Sequence, residues 1–296
     1  MTRRKKNLLS NYLVILPLVA IVALFTVYPV VQAIQFSLRK YYLIKPRHPF
    51  IGLDNYVSVV SERLFPDSLF STLLFTGGSV AGAFLLGLGI ALLLSYELRF
   101  SGALKTLIVL PWALPYTIGG LIWKLIFAPD FGLINKTLGT LGLVKPEDYM
   151  AWLTDPKIAQ MAVILAQIWR EMPFATIFIL AGLQAIPPDY YDAVEIDGGG
   201  AWTRLVHIAL PLLKPIILIV LVYETIIALI TFDLVYIMTG GGPAGATTLL
   251  SYYAYSKSFS FLNFGEGTAL SIILTGVIAA ILFLLLKIIS PSLSKS

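Results

Sequence analysis

The chain has 296 residues, of which 58% are hydrophobic and only 12% are charged, and its net charge is +5. An average soluble domain carries about 25% charged residues, so this composition indicates an integral membrane protein and excludes an ordinary soluble one. The absence of cysteine excludes disulfides, thiolate metal sites and cysteine nucleophiles. The basic residues do not form the dense stripe that is typical of nucleic-acid binding.

Six segments are apolar enough to cross a bilayer as helices, for which about 20 residues are needed. The first follows a basic cluster, Arg3 to Lys6, and is longer than the apolar part of a cleavable signal sequence, about 7–15 residues. The chain lacks the period-2 alternation of a transmembrane β-barrel. We therefore expect an all-α integral membrane protein with one transmembrane domain over 1–296. The predicted spans are approximately 12–36, 70–96, 105–128, 158–184, 212–237 and 265–287.

The basic cluster before the first span favours a cytoplasmic N-terminus, because the first helix often sets the orientation. Six crossings then place the C-terminus in the cytoplasm as well. With this cluster included, the lysines and arginines are divided almost equally between the two sides, ten against nine, so only its position next to the first span decides the predicted topology. We expect a multi-pass protein of the cell membrane, the inner membrane where a cell has two.

A polar segment, 185–210, separates the fourth and fifth predicted spans on the cytoplasmic side. Pro187-Pro188 ends one helix and can begin another, and Asp192 lies near its start, where the helix dipole favours negative charge. Gly198 to Gly200 allow a sharp bend. We expect a short helix, a bend and a second short helix ending at Leu210, with the fifth span beginning at Pro211. An ordinary connecting loop is an equally good interpretation of these residues alone.

Charged residues lie inside the fourth and fifth predicted spans, where each costs about 2.5–3.5 kcal/mol to insert. At 1.5 Å per residue, Arg170 and Glu224 both lie roughly 18–20 Å into the membrane. Antiparallel neighbouring helices would therefore bring Arg170, Glu171 and Glu224 to one level. A structural Arg–Glu pair that fixes two helices is one explanation.

A sugar site is the other explanation, because sugars need hydrogen-bond partners and a flat surface for the ring. Phe174 lies one helical turn from Arg170, and Ala228 and Thr231 continue the helix face of Glu224. The candidate substrate-binding residues are thus Arg170, Glu171, Phe174, Glu224, Ala228 and Thr231. For Lys124, near the predicted outer face, snorkelling toward the interface is the simpler interpretation.

The polar segment resembles the EAA motif of the membrane subunits of binding-protein-dependent ABC importers. The matching residues are Asp192-Ala193-Val194, Asp197-Gly198 and Ile208-Ala209-Leu210-Pro211, with Asp192 in place of the usual Glu and Val194 in place of the second Ala. In that family this segment is the coupling helix that docks into the ATP-hydrolysing subunit. The resemblance implies docking by Tyr191, Asp192, Ala193, Glu195, Asp197 and Gly198.

Further short matches, in order over about 200 residues, resemble the carbohydrate permeases of that family, of the maltose/trehalose and glycerol-phosphate type. They are "GLDNY" (52–56), "LPWALP" (110–115), "GLIW" (120–123), "GLQAIPPDYYDA" (182–193) and "TGGGPAGAT" (239–247). In the maltose-type permease, the sugar contacts fall at positions that align with Glu171, Phe174, Ala228 and Thr231. The chain most resembles the first of the two permeases in such systems.

The resemblance implies a translocation-pathway subunit of an ATP-driven sugar importer, which is not itself an enzyme. Its partners would be a second permease, two ATP-binding subunits and an extracytoplasmic sugar-binding protein, with no nucleic acid. The sequence contains no G-x-x-x-x-G-K-[ST] phosphate loop, so no cofactor is expected and ATP would be bound by the partner subunits. The alternative function is an ion-coupled secondary transporter of a small polar solute, using the acids of the spans.

Overall fold

The computed structural model describes residues 16–95 and 101–293. Five of its helices are long and apolar enough to cross a membrane, or six if one bent pair counts as a single span. The described residues form no extended sheet, only isolated bridges that join Arg39 to Phe50 and Tyr42 to Asn263. The predicted all-α fold class is confirmed.

We number the helices in chain order. They are α1 (Leu16–Ser37), α2 (Asp54–Ser61), α3 (Leu64–Ser95), α4 (Ser101–Ala113), α5 (Tyr116–Ile126), α6 (Leu133–Thr140), α7 (Pro156–Gln184), α8 (Pro188–Ile196), α9 (Ala201–Ile230), α10 (Asp233–Met238), α11 (Leu250–Tyr255) and α12 (Phe264–Leu293). A 3₁₀ turn covers Pro146–Asp148, and π-helical segments cover Ala23–Val27, Arg204–Ala209 and Ser256–Ser260.

The described residues belong to two compact units. The larger contains Arg63–Tyr253 and the chain from Leu274 onward. Its central helix is α7, which packs against α3, α4, α5, α9 and α10. Of the 18 most apolar consecutive residues of α7, 67% are buried, whereas the same share is 28% in α3 and 17% in α9. The helix that carries Arg170 and Glu171 is therefore the core of this unit.

Small residues let these helices approach closely. A Cβ added to Gly87 of α3 would lie 2.5 Å from the Ala175 Cβ of α7 and 3.1 Å from the Thr176 backbone nitrogen. Without hydrophobic attraction between helices inside lipid, such close backbone packing is a main source of their association.

The third predicted span, 105–128, is not one straight helix. Helices α4 and α5 meet at an angle of 99°. Pro115 is extended at the N-cap of α5, with φ −57° and ψ 144°, and its ring disfavours a helical conformation of Leu114 directly before it. The bend directs Tyr116, the first residue of α5, toward α7.

The fifth predicted span, 212–237, also differs from the structure. Helix α9 begins earlier, at Ala201, and runs through Pro211 without the break we expected there. The π-helical segment Arg204–Ala209 ends two residues before that proline, and the wider hydrogen-bond spacing of a π-helix can accommodate the missing proline N–H. At the other end α9 stops at Ile230, since Thr231 is extended, and Asp233 starts the short helix α10.

The smaller unit contains the described residues up to Glu62 together with Ala254–Ile273. After α1, the loop 38–53 folds back on itself and leads into α2. The unit is fixed by a partly buried lysine, Lys257, whose Nζ lies 2.5 Å from Glu62 Oε1 and 2.7 Å from Glu266 Oε2. Burial lowers the pKa of Lys257, but hydrogen bonds to Glu266 and Glu62 outweigh this effect and raise it above the ordinary lysine value.

Candidate functional site

The predicted charge cluster is inside the helix bundle of the larger unit. Arg170 Nη1 lies 3.3 Å from Glu171 Oε1, and the two residues are 8% and 2% exposed. The hydroxyl of Tyr116 donates a 2.7 Å hydrogen bond to the same Glu171 oxygen. The Arg170 guanidinium also lies over the Tyr116 ring, 3.6 Å from its centroid. Helices α5 and α7 are therefore joined by a compact group of one acid, one cation and one phenol.

Glu224 of α9 lies beside this group, as the depth argument predicted for antiparallel helices. It lines one closed pocket with Glu171, Gln167 and Ala228, together with Ser79, Val80 and Ala83 of α3. The pocket has no space for a water-sized sphere. Three of the six predicted substrate-binding residues, Glu171, Glu224 and Ala228, thus share one enclosure.

Several polar atoms of this pocket and of the neighbouring Arg170 have no hydrogen-bond partner. They are both carboxyl oxygens of Glu224, both amide atoms of Gln167, the second carboxyl oxygen of Glu171 and Arg170 Nε. Leaving a buried polar atom unpaired costs about 1–3 kcal/mol, and more for a charged group. Most buried polar atoms in proteins are hydrogen-bonded, so a cluster that leaves six of them unpaired is unusual.

The remaining predicted substrate residues lie at the edge of the cluster. The Phe174 ring is stacked against the Tyr223 ring of α9, with 3.8 Å between centroids, and it also contacts Phe178 at 4.4 Å. One face of Phe174 is thus covered in this conformation. The Thr231 hydroxyl donates to the Ile227 carbonyl in the last turn of α9, and Thr231 is not among the residues that line the pocket.

Sequence reasoning missed Tyr116, Gln167 and Tyr223. Gln167 could have been found, because it lies three and four residues before Arg170 and Glu171 on one face of α7. Tyr116 could not, since its position depends on the 99° bend between α4 and α5.

The polar segment between α7 and α9 forms the expected short helix, α8, followed by a sharp bend. Asp192, Ala193, Glu195 and Asp197 are exposed, whereas Tyr191 is half-buried against the bundle. Burial raises the pKa of the Tyr191 phenol. Tyr191 thus anchors α8, and the acids are directed away from the bundle.

Two large apolar side chains that sequence reasoning missed accompany these acids. Ile196 is 86% exposed and Trp202 is 75% exposed, on either side of the bend. Both side chains lie on the same exposed segment as Asp192 and Asp197. A protein surface that binds here would meet both acidic and apolar groups.

The bend depends on two glycines for different reasons. Gly198 has φ +76°, in the left-handed region that favours glycine. Gly199 donates a 2.8 Å hydrogen bond to the Val194 carbonyl, and a Cβ there would lie 2.5 Å from Val194 Cγ1. Gly200 has no such constraint, since its φ is −86° and its missing side chain would meet open space.

An ion pair spans the same bend. Arg204 Nη2 lies 2.6 Å from Glu195 Oε2. Glu195, predicted as a docking residue, is therefore already engaged within the chain and ties α8 to the start of α9. Because both side chains are well exposed, the pair contributes little to stability, about 0–1 kcal/mol.

The chain is similar to a family and to individual proteins that share this architecture. The family described as "Binding-protein-dependent transport system inner membrane component" matches residues 83–295. The trehalose/maltose transport system permease protein MalF of Thermococcus litoralis is 40% identical over 278 residues, covering 94% of this chain and 92% of that protein. The sulfoquinovosyl glycerol transport system permease protein SmoG of Agrobacterium fabrum is 36% identical, covering 94% and 89%.

A solved structure shows the same fold. A chain of a bacterial alginate ABC transporter, in complex with a periplasmic protein that carries an alginate pentasaccharide, has a TM-score of 0.81. The match covers 95% of this chain and 93% of that one, at 24% sequence identity.

Proposed function

The chain belongs to the inner membrane components of binding-protein-dependent transport systems, and from this premise we propose that it carries a small sugar or glycoside through the pocket between α3, α7 and α9. The substrate class is that of its relatives, trehalose/maltose and sulfoquinovosyl glycerol. Family membership disfavours the alternative of an ion-coupled secondary transporter.

The observation that carries the sugar site is the set of unpaired polar atoms on Glu224, Gln167 and Glu171. Sugar hydroxyls both donate and accept hydrogen bonds, so they complement carboxyl and amide groups together. The pocket is closed in this conformation, and we assign it to a resting state. Opening it would separate α9 from α7, uncover the Phe174 face that Tyr223 now occupies, and let Thr231 approach the substrate.

The polar segment 185–210 would transmit the movement that opens the pocket. We propose that α8 docks into an ATP-binding subunit through Asp192, Ala193, Asp197 and Gly198, with Ile196 and Trp202 as apolar anchors. Closure of two ATP-binding subunits would move α8, and α8 lies between the two helices that carry Glu171 and Glu224. A ligand such as ATP shifts a conformational equilibrium only by its differential affinity for the two states, so the membrane subunit needs a mechanical link of this kind.

The other partners follow from the same proposal. A second permease completes the pathway, and a sugar-binding protein delivers the substrate on the outer side. The loop Thr239 to Thr247 is a suitable contact for that protein because it is ordered by its own hydrogen bonds. The Thr239 and Thr247 hydroxyls are 2.6 Å apart, and Thr247 donates to the Gly242 carbonyl at 2.7 Å. With six crossings and the binding protein on the outer side, the proposal places the N- and C-termini in the cytoplasm.

Uptake in proteoliposomes tests the proposal. The chain is assembled with its second permease, ATP-binding subunits and binding protein, and labelled sugar is followed with ATP inside. Glu224→Ala and Gln167→Ala should each lower uptake at least tenfold while the complex still assembles. Glu147→Ala, which removes an exposed acid in the 3₁₀ turn, is the control and should leave uptake unchanged. Unchanged uptake in both pocket variants would show that the pocket is structural.

A further inference from the structure

The loop that follows α1 carries a concentration of positive charge. Arg39, Lys40, Lys45 and Arg47 are all exposed, and no Asp or Glu occurs from Leu16 to Leu53. Short loops rich in Lys and Arg usually stay in the cytoplasm, but the proposed topology places this one on the outer side. A cluster of exposed cations on the outer side can bind an anionic partner.

Apolar side chains project from the same loop. A turn closes where the Lys45 backbone N–H donates to the Tyr42 carbonyl at 3.0 Å. Its two central residues, Leu43 and Ile44, are 56% and 74% exposed, and Phe50 is 71% exposed. Cations and large apolar groups therefore alternate along one exposed loop, a composition that suits a membrane interface.

Hydrogen bonds and a ring stack fix the conformation of the loop. The Asn55 side-chain amide donates to the backbone carbonyls of Ser37 and Arg39, at 2.7 and 2.8 Å. The rings of Tyr41 and His48 are stacked with 3.9 Å between centroids. The exposed groups are thus presented in a fixed arrangement, which lowers the entropy lost when they bind.

The neighbours of the loop put it next to the ends of two candidate membrane spans. It begins directly after α1, and the Leu43 backbone N–H donates to the Leu262 carbonyl at 3.0 Å, two residues before α12 begins. Both neighbouring helices have the length and hydropathy of membrane spans. Phe259 and Phe261, 59% and 67% exposed, lie beside the start of α12, and aromatic residues concentrate at this depth.

We propose that the loop Arg39–Phe50 is an interfacial platform that binds anionic phospholipid headgroups of the outer leaflet. Leu43, Ile44 and Phe50 enter the boundary between headgroups and acyl chains, while the four cations pair with lipid phosphates. Two acids of this unit do not cancel the charge, since Glu62 and Glu266 are both paired with Lys257. The remaining acid, Asp54, lies at the start of α2 and leaves the loop strongly positive.

A lipid surface fits better than an acidic protein surface because the apolar groups and cations lie where two apolar helices emerge. Each Lys or Arg near an anionic surface strengthens binding to it by roughly fivefold. Neutralising three of them should therefore reduce the preference for anionic lipid by roughly a hundredfold.

Site-specific fluorescence tests the proposal, since the native chain has no cysteine. Ile44→Cys is labelled with an environment-sensitive dye, with cysteine-free partner subunits, and the complex is placed in nanodiscs of either zwitterionic or partly anionic phospholipid. Spin-labelled lipids then report contact by quenching. Glu147→Cys, on the exposed 3₁₀ turn, is the matched control.

The expected result is strong quenching at position 44 in anionic discs, weak quenching in zwitterionic discs, and none at position 147 in either. The triple variant Lys40→Gln/Lys45→Gln/Arg47→Gln should lose the difference between the two lipids. Quenching that is absent in both lipids would overturn the proposal. The proposal would also be overturned if the dye at position 44 were shielded only after the binding protein is added, because the loop would then be a protein contact.

Discussion

The Tyr116 hydroxyl donates a 2.7 Å hydrogen bond to Glu171, across the gap between the bent pair α4–α5 and the central helix α7. The acid that this bond orients belongs to the closed pocket shared with Glu224. The bend between α4 and α5, which the sequence does not predict, therefore sets the position of Glu171, which the sequence does predict as a site residue. The geometry of the pocket depends on Tyr116 even though Tyr116 does not line it.

Tyr116→Phe removes this hydroxyl and leaves the ring under the Arg170 guanidinium. We expect assembly to be retained, a stability loss of about 1–2 kcal/mol and an uptake loss that is largest at low sugar concentration. In a double-mutant cycle with Glu171→Gln, the two changes should be strongly non-additive. Additive effects on uptake would show that the bond does not position the acid.

Glu224→Leu separates a functional role from a structural one. The substitution replaces two unpaired oxygens by apolar atoms of similar volume, which relieves a desolvation cost of about 1–3 kcal/mol. The assembled complex should become more heat-stable while sugar uptake falls at least tenfold. Thermal unfolding in detergent and uptake in proteoliposomes are measured on the same preparation. A drop in melting temperature would mean that Glu224 stabilises the bundle through a partner.

Gly198→Ala tests the bend after α8. At φ +76° an alanine is strained by roughly 1–2 kcal/mol, so we expect weaker binding of the ATP-binding subunits and uncoupled or reduced ATP hydrolysis. Gly200→Ala is the matched control because its backbone is relaxed and its surroundings are open. Equal behaviour of the two variants in co-purification and ATPase assays would remove the bend from the coupling mechanism.

Lys257→Met leaves Glu62 and Glu266 facing each other without their common cation. Removing one partner from a largely buried ion network costs about 3–5 kcal/mol at most, and less here because Glu62 is partly exposed. Since the folded-state pKa of Lys257 is raised, its contribution is complete below the ordinary lysine range and is lost only as pH rises through the higher folded value. The difference in melting temperature between native and Lys257→Met proteins should therefore be constant from about pH 7 to 9 and shrink above about 10.5. A difference that already shrinks below pH 9 would contradict this assignment.

The sequence predicts the fold class, the apolar helices and the acidic helix α8, because each depends on local composition or on residues within a few turns. It also predicts that Glu171 and Glu224 meet, since depth along antiparallel helices is a matter of counting residues. The site is less predictable. The sequence cannot show that Glu195 is paired with Arg204 or that Phe174 is covered by Tyr223, because those contacts depend on how helices rotate against one another.

Two prolines of the chain have opposite effects on the continuity of a helix. Pro115 ends a helix and creates a 99° bend, whereas Pro211 lies inside a continuous helix that a π-helical segment accommodates. The residue type is the same, and the hydrogen bonding of the preceding turn decides the outcome.

Accessibility of a single cysteine at position 228 tests whether sugar passes through the pocket. Ala228 is 1% exposed and lines the enclosure with Glu171 and Glu224. Ala228→Cys is assembled with cysteine-free partners and treated with a polar thiol reagent, and Ile230→Cys on the exposed face of α9 serves as the control for lipid-side access. We predict that position 228 reacts only when the ATP-binding subunits are trapped in the ATP state, and that added sugar protects it. Equal reactivity with and without ATP, or modification that sugar does not slow, would contradict a sugar pathway through α3, α7 and α9.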